Sequence, residues 1–224
     1  MATRILLLTG MSPDVRIFDG IIPRLPDAEV VPWLDPRPHE SIPDYALRLA
    51  DSIGVSGDVI VCGVSFGGIV ARELAVHLRA KACVLVSSIR SVRQLPPWFR
   101  VFVPFARFRL EAMMDAIGTT ASVWPQRIRT RSTARLTKLG GDAGSWHRWA
   151  TASVLRWHAS SDLDRVPLVQ IHGDRDKTFP IRYVDPDISI PGGGHEMALT
   201  HASEISRILG GLTAGLQMTQ TAGT

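Results

Sequence analysis

The sequence predicts a three-layer α/β fold, with about six mainly parallel strands in a central sheet and helices on both faces. Two observations favour this class. Short apolar runs alternate with amphipathic segments up to residue 86, and the alternation returns after residue 165. Strands buried in a parallel sheet have such continuous apolar runs, and right-handed helical connections cover them. A length of 224 residues fits a single domain spanning 1–224.

The first part of the chain alternates predicted strands and helices. Strands are expected at four apolar runs, Arg4–Thr9, Glu29–Trp33, Val59–Cys62 and Ala82–Val86. Helices are expected where apolar residues recur at helical spacing, at Val15–Leu25, Pro43–Ile53 and Ile69–Leu78. Asp14 supplies a start signal for the first helix, and Gly54 supplies a stop signal for the second.

The alternation lapses at 88–165 and then resumes. Two more strands are predicted at Leu168–His172 and Ile188–Ile190, followed by a last helix from about Glu196 to Leu209. Because strands lie on both sides of the lapse, we interpret 88–165 as a helical lid inserted into one sheet. The Gly-, Thr- and Ala-rich end predicts a flexible tail at 210–224.

Basic charge is concentrated in the insertion. The chain has a net charge of +4, but residues 88–165 carry 13 Lys or Arg against 5 acidic residues, which leaves −4 for the rest. The insertion also holds five of the six tryptophans. We expect its apolar side to pack over the site and its arginines, among them Arg100, Arg107 and Arg109, to lie at the substrate entrance. The alternatives are a helix that meets lipid, or a pocket for an anionic acyl chain or carrier.

No segment of the sequence predicts secretion or a membrane span. The apolar run Ile5–Leu8 is shorter than a signal-peptide core, and the longest uncharged stretch, Val59–Ala71, is too short to cross a bilayer. Cys62 and Cys83 lie in apolar runs typical of strands, which favours two buried thiols over a disulfide. We therefore expect a cytoplasmic protein.

The most informative motif is Gly-Val-Ser-Phe-Gly-Gly at residues 63–68, between a predicted strand and a predicted helix. It fits the pattern Gly-x-Ser-x-Gly. The flanking glycines allow a sharp turn that would raise the Ser65 hydroxyl above the sheet. The turn also puts the Phe66 amide at a helix N-terminus, where it can donate to an oxyanion. Taken alone, the motif is also compatible with simple close packing of small residues.

A serine nucleophile needs a base, and the base needs an acid that orients it. Asp174 and Asp176 follow one predicted strand, and His195 follows the next. Ser65, an aspartate and His195 at three strand ends favour a hydrolytic site far more strongly than the motif alone. His172, inside an apolar run, is interpreted as a structural histidine. No histidine pair has the spacing of a zinc-binding helix, so no metal is predicted.

From about Arg4 to Leu209 the sequence resembles the α/β-hydrolase superfamily, on the Gly-x-Ser-x-Gly turn and the chain order serine, acid, histidine. The resemblance implies Ser65 as nucleophile, His195 as general base and then acid, and Asp176 as the orienting acid, with Asp174 as the alternative. It also implies a second oxyanion donor after the first strand, at Met11. Many members of the family have a histidine at the position that corresponds to the threonine two residues before Met11.

These residues predict a serine hydrolase that cleaves a carboxylic ester or thioester through an acyl-enzyme, without a cofactor. The expected partner is a small-molecule acyl ester or thioester, and neither nucleic acid nor stable membrane insertion is expected. One alternative is a ligand-binding protein with this fold and no catalysis. Another is a lyase or a cofactor-free oxygenase.

Overall fold

The computed structural model describes residues 3–100 and 143–221, and in them six parallel strands form one sheet. The strands are β1 Arg4–Leu8, β2 Ala28–Val30, β3 Val59–Val64, β4 Ala82–Val86, β5 Leu168–Gly173 and β6 Ile188–Ile190. Their order across the sheet is β2-β1-β3-β4-β5-β6, and every neighbouring pair is parallel. The predicted fold class is therefore confirmed.

Helices and 3-10 turns connect the strands. The helices of the described ranges, numbered in chain order, are α1 Ile42–Ile53, α2 Phe66–His77, α3 Pro97–Arg100, α4 Ala143–Arg156, α5 Met197–Thr200 and α6 Ala202–Thr221. The 3-10 turns are Val15–Phe18, Ile22–Arg24, Val92–Gln94, Leu163–Arg165 and Ile181–Tyr183. Helix α1 lies close to its predicted position, because Ser41 caps its first turn and Gly54 ends it.

Alternating side chains of the strands divide the core into two halves. Leu6 and Leu8 of β1 face the half that contains α1, α2 and α4. Ile5 and Leu7 face the other half, which contains the first 3-10 turns, α5 and α6. Successive side chains of a strand point to opposite faces, and burial of each Leu or Ile contributes about 1.5–3 kcal/mol. The molecule therefore has the three predicted layers.

The helix predicted at Val15–Leu25 is replaced by two short 3-10 turns, so this prediction is wrong. Asp14 does start the first turn, since its side chain accepts a hydrogen bond from the amide of Arg16. Pro23 prevents a continuous helix, because it has no N–H for the residue one turn earlier and its ring clashes there. Phe18, Ile21 and Leu25 of this segment are still buried in the core on one face of the sheet.

The C-terminal segment also differs from its prediction. Helix α6 continues to Thr221, beyond the predicted helix end at Leu209, and the flexible tail at 210–224 stays a prediction. Leu212 and Leu216 continue the helical spacing of Leu209 and pack on the same half of the core. The glycines that suggest a loop are tolerated inside the helix because these leucines hold it against the sheet.

The insertion joins β4 to β5, which are neighbours in the sheet. Its described parts, 88–100 and 143–165, contain α3 and α4. Residues 101–142, with Arg107 and Arg109, lie outside the described residues, so the helical lid at 88–165 stays a prediction. Within the described ranges, no helix has the length and apolar character to cross a bilayer. Cys62 and Cys83 are buried and unpaired, as predicted.

Gly211→Ala tests the helical C-terminus. Gly211 is exposed in α6, and no atom lies within 4 Å of the position a Cβ would take. Alanine favours the helix, so we expect the free energy of unfolding to rise by about 0.5–1 kcal/mol in urea denaturation. Gly57 has equal space but a φ of 91°. Gly57→Ala should therefore lower stability by about 1–2 kcal/mol. Unchanged stability in Gly211→Ala would contradict a helix at this position.

Candidate active site

The candidate site lies at the carboxyl ends of the strands, where the connections diverge. The segment after β1 covers one face of the sheet, whereas α2, after β3, covers the other. Because β1 and β3 are neighbours, a crevice opens between their ends, the usual ligand position in open α/β sheets. Met11 follows β1 and Ser65 follows β3 at this crevice.

Ser65 lies in a strained turn between β3 and α2. Its φ of 52° and ψ of −121° are unusual for a residue with a side chain. The two ends of this turn lie very close to each other and to the end of β1. A Cβ at Gly63 would overlap the Gly67 carbonyl, and a Cβ at Gly67 would overlap the Thr9 carbonyl. The two glycines of the motif are therefore required by close backbone approach, as the sequence predicts.

The structure brings Ser65, His195 and Asp176 into one hydrogen-bonded chain. Nε2 of His195 lies 2.9 Å from Oγ of Ser65, and Nδ1 lies 2.8 Å from Oδ2 of Asp176. An ionised carboxylate only accepts hydrogen bonds, so Nδ1 carries the proton and Nε2 is left to accept the serine O–H. This tautomer allows His195 to remove the proton of Ser65.

Asp176 is buried and held by the backbone that follows it. Its Oδ1 accepts hydrogen bonds from the amides of Thr178 at 2.8 Å and Phe179 at 2.9 Å. Burial alone would raise the pKa of Asp176, but the hydrogen bonds from His195 and from the Phe179 amide hold it below its ordinary value. The carboxylate is therefore ionised at neutral pH.

Asp174, the alternative acid, is directed elsewhere. Its Oδ1 accepts a hydrogen bond of 2.7 Å from the amide of Gly192, in the turn that precedes His195. Asp174 is exposed, whereas Asp176 is buried. The two aspartates thus differ in position: Asp176 contacts the imidazole, and Asp174 braces the turn that carries the imidazole.

Two further residues support the acid: His172, predicted to be a structural histidine, and Phe179, which the sequence reasoning missed. His172 is fully buried, its Nε2 lies 2.7 Å from the Phe179 carbonyl, and the same nitrogen is 3.4 Å from Oδ2 of Asp176. A carbonyl cannot donate, so Nε2–H is the donor. The Phe179 ring meets the His195 ring edge to face at 5.4 Å. Phe179 therefore contacts Asp176, His172 and His195, and no sequence motif indicates this role.

The two residues predicted to supply oxyanion donors both lie at the crevice. In the described part of the chain, neither the Met11 amide nor the Phe66 amide makes a hydrogen bond. A cavity of about 390 Å³ is bordered by Ser65, Met11 and His195. The α5 residues Ala198 and Leu199 form part of its apolar wall. The roles of the two amides remain a prediction.

Comparison with known proteins identifies the family. The sequence matches the alpha/beta hydrolase family over residues 8–208, a range that includes every residue of the candidate site. The chain therefore belongs to the α/β-hydrolase family, and the resemblance drawn from its motifs is confirmed. No curated protein matches the sequence.

Several solved structures share the fold. A lipase candidate from Acinetobacter baumannii AYE has a TM-score of 0.68 at 15% identity, covering 97% of this chain and 85% of that one. An epoxide hydrolase from metagenomes of hot environments has a TM-score of 0.63 at 14% identity, covering 94% and 90%. A thermophilic esterase has a TM-score of 0.61 at 16% identity, covering 96% and 90%. At these identities the likeness shows the fold alone.

His172→Gln tests the buried neutral histidine. Burial lowers the pKa of His172 below its ordinary value of 6.5, so the unfolded chain takes up a proton below about pH 6.5 while the native state does not. The contribution of neutral His172 to the free energy of unfolding is thus complete above about pH 6.5. It decreases as the pH falls, by up to about 1.4 kcal/mol per pH unit. Glutamine keeps a donor and does not titrate. We expect a flatter stability profile between pH 7 and 5 in this variant, measured by urea denaturation.

His77→Gln is the matched control, because His77 is exposed at the end of α2. It should retain the wild-type loss of stability between pH 7 and 5. Parallel profiles for wild type and His172→Gln would show that His172 is not the group responsible.

Proposed function

We propose that this chain is a serine hydrolase that cleaves a carboxylic ester or thioester through an acyl-enzyme. The observation that carries the proposal is the hydrogen-bonded chain from Ser65 through His195 to Asp176, beside a cavity of about 390 Å³. That volume is within the range of small-molecule sites, about 300–1,000 Å³, which supports a small-molecule substrate. Unpaired Cys62 and Cys83 are compatible with a cytoplasmic location.

The first step is formation of the acyl-enzyme. His195 Nε2 takes the proton of Ser65 Oγ as the oxygen attacks the substrate carbonyl carbon. The carbonyl oxygen becomes an oxyanion, and the amides of Met11 and Phe66 are the donors assigned to it. The charge on the imidazolium is stabilised by Asp176, which stays ionised because its hydrogen bonds hold its pKa low.

The alcohol or thiol leaves as the acyl-enzyme forms, and the acid leaves when water hydrolyses it. Imidazolium Nε2–H protonates the departing alcohol or thiol, and the carbonyl of the Ser65 acyl ester re-forms. Water then loses a proton to His195 and attacks that carbonyl. Collapse of the second tetrahedral intermediate breaks the bond to Ser65 Oγ, which regains its proton from His195. No cofactor takes part in these steps.

A catalytically silent binding protein is the main alternative. Such a protein could keep the fold with Ser65 blocked or with His195 out of reach. Ser65 is instead half-buried at the cavity wall, and His195 Nε2 lies within hydrogen-bond distance of its hydroxyl. These contacts support catalysis, and we propose no separate binding function.

Ser65→Ala tests the nucleophile. The variant lacks the atom that forms the acyl-enzyme, so turnover of 4-nitrophenyl butyrate should fall to background. Labelling by a fluorophosphonate probe, which bonds to an activated serine, should be abolished as well. An unchanged hydrolysis rate in Ser65→Ala, or no labelling and no turnover by wild type across acyl lengths, would refute a serine hydrolase.

Comparison of Asp176→Asn with Asp174→Asn tests the acid. Asparagine at 176 no longer enforces the Nδ1–H tautomer of His195, so kcat should fall by roughly 10⁴-fold. Asparagine at 174 can still accept the hydrogen bond from the Gly192 amide and should leave kcat within a few-fold. Steady-state kinetics on one ester measure both effects. Collapse of kcat in Asp174→Asn alone would reverse the assignment.

A further inference from the structure

Helix α4, in the described end of the insertion, reaches across to the loop after β1. The indole Nε1 of Trp146 lies 2.7 Å from the carbonyl oxygen of Met11. The hydroxyl of Thr151, one turn and a half further along α4, lies 3.7 Å from the Met11 sulfur. One helix therefore contacts both the backbone and the side chain of the residue assigned as an oxyanion donor.

The Trp146 ring also contacts the residue assigned as the second donor. It meets the Phe66 ring edge to face, with centroids 5.9 Å apart and planes at 90°. It also packs 5.2 Å from Trp33, whose Nε1 lies 2.7 Å from the hydroxyl of Thr9. Trp146 is buried, so these contacts lie inside the core and are shielded from water. One indole thus touches Met11 and Phe66 together.

The indole hydrogen bond restrains the backbone of Met11. Indole N–H only donates, and a backbone carbonyl only accepts, so the polarity of the bond is defined. The bond orients the peptide plane that follows Met11. The Met11 amide lies in the preceding plane, so its direction is restrained through the Cα that joins the two planes, together with the contact of Thr151 on the Met11 side chain. Hydrogen-bond strength falls steeply when the donor angle drops below about 120°, so the direction of that amide decides how well it meets an oxyanion.

Helix α4 is itself anchored at its other end. Trp157, directly after α4, donates to the buried carboxylate of Glu73 in α2 at 2.7 Å. The hydroxyl of Ser160 donates to the other oxygen of the same carboxylate at 2.5 Å. Helix α2 begins directly after Ser65. Helix α4 therefore connects the helix next to the nucleophile with the loop that contains Met11. It can therefore hold the two at a fixed separation.

We infer that Trp146 is a positioning residue of the oxyanion hole, since its indole N–H holds Met11 so that the Met11 amide points to the oxyanion. The inference rests on the proposed serine-hydrolase function. If Trp146 has this role, stabilisation of the tetrahedral intermediate depends on how α4 packs against the sheet. A structural tryptophan would contribute to stability alone, whereas a positioning tryptophan also contributes to kcat.

Trp146→Phe and Trp149→Phe form a matched pair. Both variants keep an aromatic ring in the same cluster and each loses one indole hydrogen bond, from Trp146 to Met11 or from Trp149 to the Glu40 carbonyl. Removal of a whole oxyanion donor costs roughly 10²–10³ in kcat. In Trp146→Phe the donor is misdirected and not removed, so we expect kcat to fall by about tenfold with KM within twofold of wild type. Trp149→Phe should keep kcat within twofold of wild type.

An alkyl boronic acid, which forms a tetrahedral adduct with an active-site serine, provides a second readout. Its binding should weaken in Trp146→Phe by the same factor as kcat, and it should be unchanged in Trp149→Phe. Thr151→Val keeps its shape and removes the hydroxyl that contacts Met11. It should lower kcat about threefold at constant KM, and it tests the inference if Trp146→Phe does not fold.

The outcomes separate the inference from the function on which it rests. If wild type hydrolyses esters but Trp146→Phe and Thr151→Val match wild type in kcat and in boronate binding, the positioning role is refuted and the function stands. If Trp146→Phe and Trp149→Phe lose kcat equally, both tryptophans act through general packing, and the inference fails. If wild type neither hydrolyses esters nor reacts with a fluorophosphonate, the proposed function fails and the inference with it.

Discussion

The strained backbone of Ser65 is the constraint on which the site depends. A φ of 52° with a ψ of −121° costs roughly 1–3 kcal/mol for a residue with a side chain, so the surrounding structure must hold it. The Ser65 amide donates to the Val86 carbonyl at the end of β4, and its own carbonyl accepts from the Ser88 hydroxyl at 2.6 Å. Close contact of Gly67 with Thr9 adds β1 as a third support. The serine is thus fixed by the two strands beside its own.

The acid and base are held by a second set of contacts at the other side of the sheet. The turns after β5 and β6 are joined by the Asp174 side chain and by a backbone bond of 2.9 Å from Arg175 to the Gly193 carbonyl. These bonds tie the turn that carries Asp176 to the turn that carries His195. Phe179 adds a ring against His195 and an amide to Asp176, so the orientation of the imidazole follows from the fold of this turn.

The described end of the insertion belongs to the core of the protein. Trp146 and Trp149 of α4 pack among Trp33, Tyr45 and Phe66, with ring centroids about 5–6 Å apart. Such aromatic contacts each contribute about 0.5–1.5 kcal/mol beyond the area they bury. The described end of the insertion is thus tied to the residues beside the nucleophile, and its sequence affects both stability and the proposed chemistry.

The sequence by itself determined the parallel sheet, and it indicated Ser65, Asp176 and His195 as the candidate site residues. Apolar runs indicate the buried strands. A serine between glycines at a strand end can be recognised in the sequence, because only glycine fits where the backbone approaches itself so closely. Local pattern was misleading at Pro23, which interrupts a helical spacing, and at Gly210–Gly211, where neighbouring leucines hold a helix that composition disfavours.

Tertiary structure decided between Asp176 and Asp174 as the partner of His195, placed Phe179 against both Asp176 and His195, and brought Trp146 against Met11. The physical reason is that these contacts join residues far apart in the chain, such as 11 and 146, across elements whose relative positions depend on packing. Periodicity reports which face of an element is buried, but the partner on that face is set by the whole core.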